Sequence, residues 1–105
     1  TVSAGNVGLE HTVANALKLC EVAGRGSVPV FAGCAAPLLH PAPDAAYVHG
    51  EDGFGDTGYA PAARVVADGH AALAILRLSR EHADSACQLM LRLLLREDDP
   101  VGQTA

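Results

Sequence analysis

Thr1-Val2-Ser3-Ala4-Gly5-Asn6-Val7-Gly8, then Leu9, Val13, Ala16, Leu17 and Cys20 at helical spacing, then Val28-Pro29-Val30-Phe31-Ala32 make up the stretch that decides the fold. Thr1 to Gly5 reads as the end of a strand running into a Gly-Asn loop. The apolar repeat predicts a helix from about Gly8 to Ala23, and Gly24 is a natural C-terminal stop. Val28 to Ala32 reads as a short apolar strand opening beside a proline. Strand, helix and strand within roughly 30 residues make a βαβ unit. The expected class is therefore α/β, with a parallel sheet and a right-handed crossover.

Outward from that unit, regular structure lapses between Gly33 and about Asp68. Five of the six prolines lie between Pro29 and Pro61, and Gly50, Gly53, Gly55 and Gly58 crowd one stretch. A loop of such length in a small domain is usually functional or disordered, and its His49, Glu51, Asp52, Asp56, Phe54 and both tyrosines favour function. Helical spacing returns from Gly69 to His82, with Ala72, Ile75, Leu76 and Ser79 on one face. A further helix is predicted from Asp84 to Glu97, with Ala86, Leu89, Met90, Leu93 and Leu94 forming a Leu-rich face.

Composition excludes several classes. Half of the 105 residues are apolar and 18% are charged, too hydrophobic a balance for a disordered chain. Seven scattered cations against twelve acids give a net charge of -5, which argues against a nucleic-acid partner. The longest apolar run, Leu89 to Leu95, is cut by Arg92 and falls short of the ~20 residues of a membrane helix. Thr1 to Gly5 lacks the pattern of a signal peptide. Cys20, Cys34 and Cys87 form no CxxC and are expected to be reduced, mostly buried thiols of a cytoplasmic protein, not zinc ligands.

Two positions attract a chemical reading. Asn6 lies at the C-terminal end of the first strand, the edge where parallel α/β sheets bind ligands. Its amide either caps or eases the turn, or holds a substrate hydroxyl. His49 opens the heptad His49-Gly50-Glu51-Asp52-Gly53-Phe54-Gly55 and is either an incidental loop residue or a general acid for a leaving group. The other four histidines suggest no role, and neither a Walker A loop nor GxGxxG occurs.

Ala4-Gly5-Asn6-Val7-Gly8, Asn15-Ala16-Leu17-Lys18-Leu19, Val28-Pro29-Val30-Phe31-Ala32-Gly33, Pro37-Leu38 and the His49 heptad follow one another in register. In this the chain resembles the inosine-uridine preferring nucleoside hydrolases over residues 1–82. The resemblance implies a partial Rossmann-like nucleoside hydrolase fold. It also implies cleavage of the N-glycosidic bond of purine and pyrimidine ribonucleosides to ribose and free base. Asn6 would bind the ribose and His49 would be the general acid near the leaving base, with Glu51 and Asp52 fixing the loop.

The family uses calcium held by an Asp-x-Asp-x-x-x-Asp-Asp cluster, and no such cluster occurs here, so this chain is expected to supply no metal ligands and to be inactive alone. Residues 83–105 read as a divergent helical segment. The alternative reading is a non-catalytic interaction module or an unstable truncated product. In that reading the Leu-rich helix at residues 86–95 serves as a surface for partners or homo-oligomerisation.

Overall fold

The computed structural model describes residues 1–85 and Cys87. These fall into two compact units, Thr1–Ile75 and a second that begins at Leu76. Three helices follow in order: α1 (Leu9–Val22), α2 (Ala46–His49) and α3 (Ala71–Glu81).

Helix α1 matches its expected bounds to within a residue at each end. Its apolar stripe is the covered one: Leu17 is buried, and Leu9, Val13, Ala16 and Cys20 are half-buried. The helix stops where Gly24 takes a left-handed φ of +66°. There Arg25 N–H bonds Cys20 O at 2.8 Å and Gly24 N–H bonds Glu21 O at 3.0 Å. This pair satisfies carbonyls that the last helical turn would otherwise leave open.

The two expected strands are not formed among the described residues. What stands in their place is one parallel bridge between Val2 and Ala32. Val2 N–H bonds Phe31 O at 3.0 Å, and Gly33 N–H bonds Val2 O at 2.7 Å. A regular parallel ladder would next bring Ala4 N–H to Gly33 O. Instead Ala4 N–H reaches Cys34 O at 3.0 Å, so the register slips after a single pair. Across residues 30–32, Val30 O accepts from Ala67 N–H and Ala32 O from Ala71 N–H, both at 2.8 Å. Two short segments with no further strand beside them among the described residues cannot sustain a sheet.

The main core joins that segment to the start of α3. Phe31, Ala71 and Ala74 are buried together, with Ala67 packed against them. The expected face of α3 is therefore displaced, since Ile75 is 54% and Leu76 46% exposed. Two alanines let the helix approach the backbone of residues 30–32 more closely than the bulkier chains would. The cysteines also differ from expectation. All three are unpaired, but Cys34 and Cys87 are exposed and Cys20 is only half-buried, because Phe31 and the alanines fill the interior.

Residues 33–68 are irregular apart from α2, as expected, but they are tied down. Ala63 N–H bonds Glu21 Oε2 at 3.1 Å, and the Arg64 guanidinium donates to the carbonyls of Gly26 and Val28. Within the second unit, Arg77 Nε lies 3.7 Å from Glu81 Oε1, an exposed pair that adds little. No helix among the described residues is long and apolar enough to cross a membrane. The predicted helix from Asp84 to Glu97, with its Leu-rich face, lies outside the described residues but for Asp84, Ser85 and Cys87.

Candidate functional site

Asn6 occupies the bend between the bridged residue Val2 and α1. It is exposed, while the following Val7 is buried. The purely local roles open to Asn6 are not taken up. The N-cap of α1 is Gly8, without a side-chain cap bond. The described non-glycine residue with positive φ is Asp56, not Asn6.

His49 is the last residue of α2 and is exposed. The loop after it closes on itself. Gly55 N–H returns to His49 O at 2.8 Å, and Gly53 N–H bonds Gly50 O at 3.0 Å. One oxygen of Asp52, Oδ1, accepts from Phe54 N–H at 2.6 Å and Asp56 N–H at 3.0 Å, while Asp56 Oδ1 accepts from Asp52 N–H at 3.2 Å. Asp52 thus fixes the loop, with Asp56 as its counterpart, whereas Glu51 is exposed. The Phe54 and Tyr59 rings add a tilted contact at 5.6 Å between centroids.

Those amides have an electrostatic consequence. Donation first from Phe54 N–H and then from Asp56 N–H holds the Asp52 carboxyl below the usual carboxylate range. A depressed folded value means the contribution is complete above the ordinary carboxylate pKa of about 4 and is lost as pH falls through the lower folded value. The expected result is that the Phe54 and Asp56 amide signals in an NMR titration shift with a common midpoint below the ordinary aspartate value. A midpoint at or above the ordinary value would show that the carboxylate does not hold the loop. Asp52 is half-buried and both amides that donate to its carboxylate lie in the same loop, so the change belongs to the loop and not to global stability.

Two contacts bring the Asn6 bend and the His49 loop together. Ala45, the residue before α2, donates its N–H to Asn6 O at 2.6 Å. Gly53 lies against Val7 so closely that an added Cβ would sit 2.5 Å from Val7 Cγ2. A third contact, Asn15 Nδ2–H to Asp52 O at 2.8 Å, attaches the loop to α1. In the sequence Asn15 stands out only as the first residue of the Asn15-Ala16-Leu17-Lys18-Leu19 motif. Its mid-helix position among apolar neighbours was the available signal, since asparagine is a weak helix former.

Beside the bend lies a concavity of about 200 Å³, lined by Ala4, Gly5, Val7, Gly8, Ala35 and Asp44 among others. A somewhat larger one, about 240 Å³, lies between residues 1–3, Cys34 and the start of α3, away from both Asn6 and His49. There His70 Nε2 stands 3.8 Å from Cys34 Sγ, a pair that sequence reasoning did not anticipate. Among the described residues, no group of three or more His, Cys, Asp or Glu side chains could hold a metal ion. These residues do not fit a calcium site.

Comparison with known proteins follows the same residues. The family model described as inosine-uridine preferring nucleoside hydrolase matches residues 1–95. An inosine-uridine preferring nucleoside hydrolase of Leishmania major is 37% identical over 91 residues, 86% of this chain and 29% of that protein. An uncharacterised protein of Schizosaccharomyces pombe is 42% identical over 71 residues, 68% of this chain and 23% of its own length. A non-specific ribonucleoside hydrolase of Salmonella paratyphi A is 51% identical over 54 residues, 51% of this chain and 17% of that one. The chain therefore spans less than a third of the length of these relatives. Within that span the match takes in the Asn6 bend, α1, the His49 loop and α3, and the chain belongs to the inosine-uridine preferring nucleoside hydrolase family.

Proposed function

We propose that this chain forms the ribose- and base-facing part of an N-ribohydrolase acting on purine and pyrimidine ribonucleosides. The observation that carries the reading is the bond from Ala45 N–H to Asn6 O, which joins the Asn6 bend to the short helix ending in His49. In the proposed reaction the C1′–N bond breaks and its electron pair leaves with the base. The sugar becomes oxocarbenium-like, and water adds at C1′, losing its spare proton to solvent, to give ribose. The Asn6 amide holds a ribose hydroxyl by donating to or accepting from it. The His49 imidazole serves as general acid, giving a proton to the departing base nitrogen. Calcium is part of what the family resemblance implies, and the described residues do not fit it.

The same proposal includes the α/β class in its finer form, with the Val2–Ala32 bridge and α1 as the core of a βαβ crossover. Residues 1–82 would form the hydrolase portion and residues 83–105 a divergent segment. It also includes a cytoplasmic setting, which three unpaired thiols support.

The test is hydrolysis of inosine and uridine, followed by release of reducing sugar, in a full N-ribohydrolase polypeptide that contains this chain, since the chain is expected to be inactive alone. Asn6→Ala is expected to lower kcat/KM by roughly 10- to 100-fold, the loss of one or two hydrogen bonds that strengthen as the sugar becomes cationic. Turnover equal to that of the unaltered protein would remove Asn6 from the site.

A further inference from the structure

We infer that Asn15 is a positioning residue that sets the place of the His49 loop against α1. This deepens the proposed function and rests on its reading of His49 as proton donor. The loop's own hydrogen bonds, among Asp52, Phe54 and Asp56 and from Gly55 back to His49, give it a shape but not a location. Location comes from outside the loop. Asn15 lies within α1, half-buried, and its Nδ2–H bonds Asp52 O at 2.8 Å across 37 residues of chain.

Asp52 is three residues from His49, and the Gly55-to-His49 bond closes that stretch into a ring. A shift at Asp52 is therefore passed to the backbone that bears the imidazole. Proton transfer needs hydrogen-bond reach, and a displacement of about 1 Å can cost roughly a hundredfold in rate. The neighbouring contact of Gly53 with Val7 is apolar and fixes separation, while the Asn15 bond is directional and fixes the loop's rotation about that contact.

The experiment compares Asn15→Leu, which keeps similar volume without a donor, with Asn15→Gln, which keeps an amide. Both are made in the full polypeptide and assayed on inosine and on a p-nitrophenyl riboside, whose phenolate leaves without needing a proton. With Asn15→Leu, kcat on inosine is expected to fall roughly 10- to 100-fold with KM changed less than about threefold, while kcat on the aryl riboside stays within about threefold. Asn15→Gln is expected to recover part of the loss. Equal losses on both substrates, or no loss on inosine, would overturn the inference.

Amide hydrogen exchange decides the placement without turnover. Asn15→Leu is expected to speed exchange at Gly53 and Gly55 at least about tenfold while leaving residues 17–21 of α1 unchanged. Unchanged loop exchange would overturn the clamp. An unaltered protein that cleaves neither substrate would sink the proposed function instead, with the exchange result still standing on the clamp.

Discussion

Gly53→Ala is expected to destabilise the chain by about 2–4 kcal/mol, combining about 1–2 kcal/mol for a left-handed residue with the cost of overpacking. Gly53 has φ +70°, and an alanine Cβ there would meet Val7 at 2.5 Å from Cγ2 and 3.1 Å from Cγ1. Val7 is buried at 5% exposure and has little room to retreat. Gly55 supplies the control, because its φ of +71° is nearly the same while nothing lies within 4 Å of its added Cβ. Gly55→Ala should therefore lose only the backbone portion, about 1–2 kcal/mol. Urea midpoints measured in parallel isolate the contact with Val7. Equal losses at the two glycines would mean that this contact does not hold the loop to the Asn6 bend. Adding Val7→Ala to Gly53→Ala should restore part of the loss, since the smaller side chain makes space for the new methyl.

His49→Gln carries the largest expected effect on turnover. A positioned proton donor contributes about 10²- to 10⁴-fold, and glutamine keeps a polar group of similar reach without an acidic proton. The expected result is a fall of that size in kcat on inosine and uridine, with little change for an aryl riboside. Retention of inosine turnover to within about threefold would remove His49 from the mechanism and leave protonation of the base to another group. The two substitutions differ in kind. Gly53→Ala alters where the loop sits and should be seen in unfolding as well as activity. His49 is exposed at the end of α2, so its replacement should leave the unfolding midpoint nearly unchanged.

Some of this molecule follows from local chain properties. The bounds of α1 are set by apolar residues three and four apart and by a glycine that can take the left-handed stop, all within one short segment. The irregular run from residue 33 to 68 follows from prolines and glycines that break repeats locally. Asn6 and His49 came from the order of motifs along the chain, and neither composition nor periodicity singles them out from their local alternatives.

Other features depend on contacts between distant parts of the chain. Helical spacing pointed to Ala72, Ile75, Leu76 and Ser79 of α3, but Ala71 and Ala74 are buried, because the partner is the backbone and ring at Phe31. Periodicity gives the direction of a stripe, while the shape of what it packs against selects the residues that are covered. Apolar runs around Val2 and Val30 were enough to suggest strands, yet a ladder also needs register, and Ala4 bonding to Cys34 breaks it after one pair. The union of the Asn6 bend with the His49 loop is of the same kind. It rests on Ala45 against Asn6, Gly53 against Val7 and Asn15 against Asp52, each joining residues some 37 to 46 positions apart. Local propensity determined the helix and the loop of this protein, and only the tertiary structure brought its two candidate site residues onto adjoining backbone, because no repeat of period two or 3.6 reaches across such a distance.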